Sequence, residues 1–282
     1  LLVALAVVLD VFLEPLFIFG WGPVPRLEVP GAALGGVLAY TLATVAAIVI
    51  LRRRHLSKRA FTWANVDKKL TGQLFSIGVP ASAQMLIRVL AQMVLVGFVA
   101  RTGTAAMAAF GIGNQLTSLT LIPCFAFAMS AAVLTGQNLG AGNAARAERS
   151  ALASVGFAAG VAAVIVVGLV AFAPVWVRRF DDKPEVITLG VQYLYICAPS
   201  YLFVPLGMVL SRAMGGAGVS VPPLFVTAAV LLGIRIPLAF LLVNVLEWGP
   251  VGVYWAVAVP SVLEGVLMFW IFKSGVWKRK KL

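Results

Sequence analysis

Apolar residues run along this chain in stretches of about 20, far longer than the alternation of a half-buried strand or surface helix requires. Eight such stretches stand out, at about 1–20, 31–51, 73–100, 106–135, 150–173, 186–211, 222–244 and 250–272. Each is long enough to cross about 30 Å of hydrocarbon as a helix. Short segments rich in proline and glycine separate them: WGPVP at 21–25, RTG at 101–103, DDKP at 181–184 and WGP at 248–250. The pattern predicts an all-α, polytopic membrane protein of eight transmembrane helices, with the lipid bilayer as its solvent.

Composition agrees. Hydrophobic residues make up 61% of the chain and charged residues 11%, against about 25% charged in a soluble domain. The net charge of +12 does not point to nucleic acid, because the basic residues sit between the apolar stretches, where they encode topology. One side takes 52–72, 136–149, 212–221 and the tail from Lys273, with 15 Lys and Arg against two acids, Asp67 and Glu148. The other takes 21–30, 101–105, 174–185 and 245–249, with five of each sign. The basic excess marks the cytoplasm, so the first span of this cell-membrane protein exits outward and the C-terminus is cytoplasmic. Trp21, Trp176, Trp248, Trp270 and Trp277 fall near span ends, where amphipathic rings favour the headgroup layer.

Cys124 and Cys197 lie within apolar stretches as small core residues, and the single histidine, His55, cannot build a metal site alone. No HExxH, GxSxG, GxxxxGK(S/T) or TVGYG run occurs. Zinc hydrolysis, nucleophile-elbow chemistry, a nucleotide-driven pump and a potassium filter therefore all lack their parts. The expectation is carriage driven by an ion gradient, without enzymatic activity or a cofactor. The opening LLVALAVVLD has neither methionine nor a basic n-region, so the chain is read as starting inside a helix whose upstream part is absent.

A charge in mid-bilayer costs at least about 2.5–3.5 kcal/mol, which makes intramembrane ionisable groups functional candidates. Asp10, Glu14, Arg88, Arg235 and Glu264 qualify. Asp10 and Glu14 are four residues apart, which stacks two carboxylates on one helix face. Desolvated together, they resist double ionisation and suit a proton or a monovalent cation. A place near the outer interface, or a basic partner on an absent helix, is the alternative, and the cation or proton site is the favoured reading. Arg88 sits between Gln84 and Gln92 at the same stagger, either lining a wet cavity or pairing with a carboxylate such as Glu264. Arg235 precedes Pro237, and its expected role is to hydrogen-bond carbonyls that the proline frees. Gly31…Gly35, Gly136…Gly140 and Gly156…Gly160 have the spacing of close helix contacts. EPLFIFGWGP…PGAALGGV (14–37) also echoes IPLAFLLVNVLEWGPVGVYWAV (236–257), as parallel repeats in two-lobed transporters do.

The run SIGVPASAQMLIRVLAQMVLVGFVARTGTAAMAAFGIGNQL, followed by CFAFAMSAAVLTGQNLGAGNAARAER, resembles the multidrug and toxic compound extrusion (MATE) family. So do Pro80, GQNLGAGNAARA (136–147), RAMGGAG (212–218), IRIPLAF (234–240) and GPVGVYWA (249–256). The resemblance implies that 1–51 are the last two helices of an N-lobe and 52–72 a cytoplasmic inter-lobe linker. It makes 73–272 a six-helix C-lobe and 273–282 a basic tail, with four N-lobe helices of the same protein missing. The family's N-lobe cation site falls on Asp10 and Glu14, though neither keeps the family's residue identity, and a family threonine falls on Gly36. Two C-lobe acidic positions fall on Arg88 and Val204, which argues against a C-lobe cation site of the family's kind. The implied activity is antiport of small organic cations or drugs against H⁺ or Na⁺, through a cavity lined by Gln84, Arg88, Gln92, Asn114, Gln115 and Tyr193. Two other readings stand beside it: a flippase for lipid-linked precursors, which Arg88 would suit, and a truncated, inactive membrane scaffold.

Overall fold

The structure, a computed structural model, describes residues 2–20, 26–54 and 68–278. Trp21 and the WGPVP run, His55 with most of the expected linker, and the last four residues of the tail lie outside the described residues. No strand occurs among those described. The helices are α1 (Leu2–Phe19), α2 (Glu28–Arg54), α3 (Lys68–Arg101), α4 (Thr104–Gly140), α5 (Ala144–Ala171) and the short α6 (Ala173–Arg178). They continue with α7 (Pro184–Ser200), α8 (Val204–Gly216), α9 (Val221–Val230), α10 (Ile236–Phe240) and α11 (Gly249–Lys273). Six described segments are long and apolar enough to cross a bilayer: Glu28–Ile50, Thr71–Arg101, Thr104–Gly140, Ala144–Ala171, Val221–Val245 and Gly249–Lys273. A seventh is added if α7 and α8, bent by 46° at their junction, cross as one.

The chain divides into two compact units, Leu1–Lys68 and Lys69–Leu282. In the first, α1 and α2 pack on small residues. Gly31, Gly35, Ala39 and Ala43 form a buried i, i+4 stripe on α2. A Cβ on Gly31 would lie 2.4 Å from the Phe17 carbonyl oxygen, and one on Gly35 would lie 2.8 Å from the Glu14 Cα. Only glycine lets these backbones come so close.

The second unit is a bundle around two apolar clusters, one centred on Tyr193, Tyr254, Phe110 and Leu95, the other on Met214, Met268, Phe272 and Trp277. Its turns are built by the segments that carry the family resemblance. At the end of α4, Gly142 takes φ +75°, and the Asn143 N–H donates to the Asn138 carbonyl at 2.9 Å. The Asn143 side chain then accepts the Arg146 N–H at 2.9 Å and caps α5. RAMGGAG ends α8 in the same way, with Gly218 at φ +78°. Its Gly216 packs so tightly on α4 that a Cβ would stand 2.1 Å from the Ala132 carbonyl oxygen.

Other glycine spacings behave differently. Gly136 meets the Gly216 carbonyl oxygen, but a Cβ on Gly140, Gly156 or Gly160 would touch nothing within 4 Å. Alanine does that work on α5, where Ala147, Ala151, Ala158 and Ala162 are buried.

Prolines shape the rest. The α7–α8 break lies between Pro199 and Pro205, where the Val204 N–H takes the Tyr201 carbonyl in a tighter turn. Around Pro237, α10 is flanked by two π-helical turns, Leu231–Arg235 and Leu241–Val245. The register shift absorbs the missing N–H.

The internal echo is geometric. Both α2 and α11 open on a residue in the left-handed region, Glu28 at φ +52° and Gly249 at φ +57°. The residue before each donates its N–H to a carbonyl of the preceding helical segment, Leu27 to Phe17 at 3.1 Å and Trp248 to Leu242 at 2.9 Å. Three residues on, Gly31 and Gly252 pack against those same carbonyls.

Gly216→Ala is expected to cost about 1–3 kcal/mol by overpacking and to lower the melting temperature in detergent. Gly160→Ala, which meets open space, serves as the control. Equal melting temperatures for the two variants would show that the α4–α8 contact is not tight.

Candidate functional site

Charge inside the second unit is gathered at one place. Among the described residues Glu264, on α11, is the one charged residue that is buried. Small neighbours make room for it. Gly265 lets the Phe203 carbonyl approach, with a Cβ there 2.5 Å from its oxygen, and Gly207 leaves space beside the Glu264 Cγ.

A carboxylate in that position demands a cation and hydrogen bonds, because the surrounding hydrocarbon offers neither. Arg88 on α3 supplies the cation as a two-pronged fork. Its Nη2 donates to Oε1 at 2.6 Å and its Nη1 to Oε2 at 3.2 Å. The Thr227 hydroxyl on α9 donates to the same Oε1 at 2.9 Å. Gln84, one turn before Arg88, donates from Nε2 to the Thr227 hydroxyl oxygen at 2.8 Å and to the Ser211 hydroxyl oxygen on α8 at 3.2 Å. The Ser211 hydroxyl in turn reaches the Gln84 Oε1 at 3.4 Å. Four helices, α3, α8, α9 and α11, thus meet in one polar network. The pair is lopsided: the Arg88 side chain is 42% exposed and that of Glu264 9%.

Arg235 stands close by on the π-turn before Pro237. Its electrostatic neighbours are Tyr201, Glu264, Tyr193 and Arg88. The expected bonds to carbonyls freed by the proline are not made; its Nε is buried with no hydrogen-bond partner. The π-turn explains this, since a shift of register accommodates the proline without a side chain. The π-turn that carries Arg235 packs against α9 and α11, the helices of Thr227 and Glu264, so two arginines accompany one buried carboxylate in this part of the bundle.

The other expected cavity residues separate. Tyr193 is 1% exposed, edge-on to Phe110 and Tyr254 with ring centroids 5.7 and 5.1 Å away, and its ring occupies the space above Gly113. It belongs to the packed core of the bundle. Beside it the Thr117 hydroxyl donates to the Tyr201 hydroxyl at 3.2 Å, and the Cys197 thiol lies 3.4 Å from the Tyr254 carbonyl. Asn114 and Gln115 are exposed on α4 and Gln92 is half-buried on α3, and none of the three joins the Arg88 network. Thr227 and Ser211 went unnoticed in the sequence. Each is a lone hydroxyl in an apolar run, and only the partner across the bundle marks it.

In the first unit, Asp10 and Glu14 are both half-buried on α1. The Asp10 Oδ1 is buried without a hydrogen-bond partner and lies 3.6 Å from where a Cβ of Gly36 would stand. A threonine at 36 would fill that space. No group of three or more potential metal ligands occurs among the described residues.

Long apolar helices, broken at prolines and crossed by one ion-paired polar network, define a polytopic helical membrane protein. The family model MatE matches residues 80–241, more than half of the chain, and the chain belongs to that family. Among curated relatives, the "FAD transporter" of Shewanella oneidensis is 29% identical over 277 residues, covering 96% of this chain and 60% of the relative. "Probable multidrug resistance protein YoeA" of Bacillus subtilis is 24% identical over 280 residues, with coverages of 98% and 60%. A solved structure titled "Crystal structure of MATE in the straight conformation" superposes with a TM-score of 0.87 at 20% identity, covering 99% of this chain and 63% of that one. At that identity the likeness concerns the fold. The chain spans about 60% of the length of these curated relatives.

Arg88→Gln alone leaves a buried carboxylate unpaired and is expected to cost about 2 kcal/mol or more. Arg88→Gln combined with Glu264→Gln removes both charges and should recover most of that loss in detergent unfolding. Strictly additive losses would mean that the two side chains do not interact.

Proposed function

We propose that the full protein is a cation-coupled antiporter that exports organic compounds by alternating access. In this reading the chain crosses the cell membrane eight times, counting α1 and the bent α7–α8 pair, and its C-terminus is cytoplasmic. Rocking of two helical lobes exposes the cargo to either side in turn. The coupling ion, H⁺ or Na⁺, is held at Asp10 and Glu14.

The observation that carries this reading is the buried, unpartnered Asp10 Oδ1. A carboxylate oxygen left without a donor in an apolar helix pair is costly unless it takes a proton or a cation. Glu14 one turn on supplies a second acceptor on the same face. The space opposite, at Gly36, is free of side chain, so ligands other than a family threonine must complete the shell.

A second reading of the cargo has its own support. The cluster of Arg88, Arg235 and Glu264 carries an excess positive charge, which favours a cargo bearing an anionic group over a purely cationic drug. The FAD transporter among the relatives is named for such a molecule, since FAD contains a pyrophosphate.

Everted vesicles of cells making the full-length protein, given first a proton and then a sodium gradient, test the coupling site. Efflux of a fluorescent organic cation, or of a flavin dinucleotide, should follow one gradient. Glu14→Gln and Asp10→Asn should each reduce it at least about tenfold. Unchanged gradient-driven efflux in both variants would remove the ion site from α1.

A further inference from the structure

We infer that Arg88, together with Arg235, is a binding site for a phosphate or pyrophosphate group, held closed in the absence of cargo by the carboxylate of Glu264. The inference rests on the transporter reading and narrows its cargo to molecules bearing such a group.

The Glu264 carboxylate engages Arg88 in the two-pronged geometry that an external oxyanion would use, through Nη1 and Nη2. It therefore occupies the site as an internal anion. Arg88 is the accessible partner and Glu264 the shielded one, so an incoming group meets the guanidinium first. A phosphate with two charges competes well against one carboxylate for the same donors. Displaced, Glu264 keeps the Thr227 hydroxyl that already donates to its Oε1 at 2.9 Å, and Arg235 is the cation left to offset its charge.

Arg235 gives the exchange a direction. Its Nε is buried and without a partner, and it lies in the electrostatic range of both Arg88 and Glu264. A second cation beside Arg88 in a low-dielectric interior favours the entry of an anion with more than one charge. A purely structural ion pair has no use for a second arginine with a free donor. A structural pair also predicts that removing Arg235 leaves binding untouched, which separates the two cases.

The experiment uses the full-length protein in neutral detergent micelles, with no ion gradient. Binding of inorganic pyrophosphate, ADP and farnesyl pyrophosphate is measured by calorimetry, with tetraphenylphosphonium as the cationic comparison. Pyrophosphate-bearing probes should bind and compete with one another. A preference for ADP identifies a soluble nucleotide-like cargo, and a preference for farnesyl pyrophosphate a lipid-linked one; either supports the site. Glu264→Gln removes the internal competitor and should tighten pyrophosphate binding about tenfold. Arg235→Gln breaks no ion pair, should retain the wild-type melting temperature, and should weaken binding by about the same factor. Arg88→Lys keeps the charge but loses the fork, and should weaken it too.

Pyrophosphate probes that fail to bind would overturn the inference, as would unchanged affinity in Arg235→Gln or unchanged or weaker affinity in Glu264→Gln. Asp10→Asn and Glu14→Gln should leave probe binding intact while abolishing gradient-driven efflux. Failure of the coupling site is thereby told apart from failure of the oxyanion site.

Discussion

A carboxylate cannot be left alone in hydrocarbon, and the second unit is arranged around that fact. Glu264 needs a cation and donors from within the protein, and they come from different helices. Arg88 brings α3 to α11, Thr227 brings α9, and Gln84 passes the connection to Ser211 on α8. The outer surface of α3 is otherwise exposed and apolar, as at Leu74, Phe75, Val79, Met85 and Leu86. Among its described residues, those buried are Ala91, Leu95 and Val99, all in its second half. Gln84, at the end of its first half, and Arg88, one turn on, tie α3 to α8, α9 and α11. In lipid, where apolar surface gains little by meeting other apolar surface, such polar ties and close packing hold helices together.

Close packing supplies the remaining cohesion, and its agents are the smallest residues. Gly216 against Ala132, Gly113 beneath the Tyr193 ring, and Gly31 against Phe17 all bring backbone or ring into space that a methyl group would fill. The two networks are linked through geometry: Gly265 and Gly207, which let α8 and α11 approach, are also what accommodate Glu264. Packing and charge burial therefore depend on the same few positions.

Much of this was legible in the sequence because membrane helices announce themselves by length and because charge inside them is rare. Most of the apolar stretches match helices, and Arg88 and Glu264 stand out as possible partners by their cost alone; the loop expected at 136–149 is shorter, since α4 runs to Gly140 and α5 starts at Ala144. The rest depends on contacts between distant residues. That Tyr193 is core and not cavity follows from the space over Gly113, 80 residues away, which no local pattern reveals. Thr227 looks like any helix-tolerated threonine until Glu264 is seen beside it. Arg235 was assigned to carbonyls freed by Pro237 because a regular helix was assumed. The helix is instead π-helical there, and the Arg235 Nε is buried without a partner.

In the proposed reading, the same geometry would tie cargo to motion. If an oxyanion takes the fork of Arg88, the bonds from α3 to α11 are exchanged for bonds from α3 to the cargo. Gln84 then remains as a polar tie from α3 to Ser211 and Thr227. The Thr227–Glu264 bond holds α9 to α11 in either case, so the change is confined to the attachment of α3. A ligand can shift a conformational equilibrium only through contacts that differ between its states. Here those contacts are the ones it must break to bind, so occupancy of Arg88 bears directly on where the first half of α3 sits. Pro80 lies within that half, one turn before Gln84, at the place where a helix bends most cheaply.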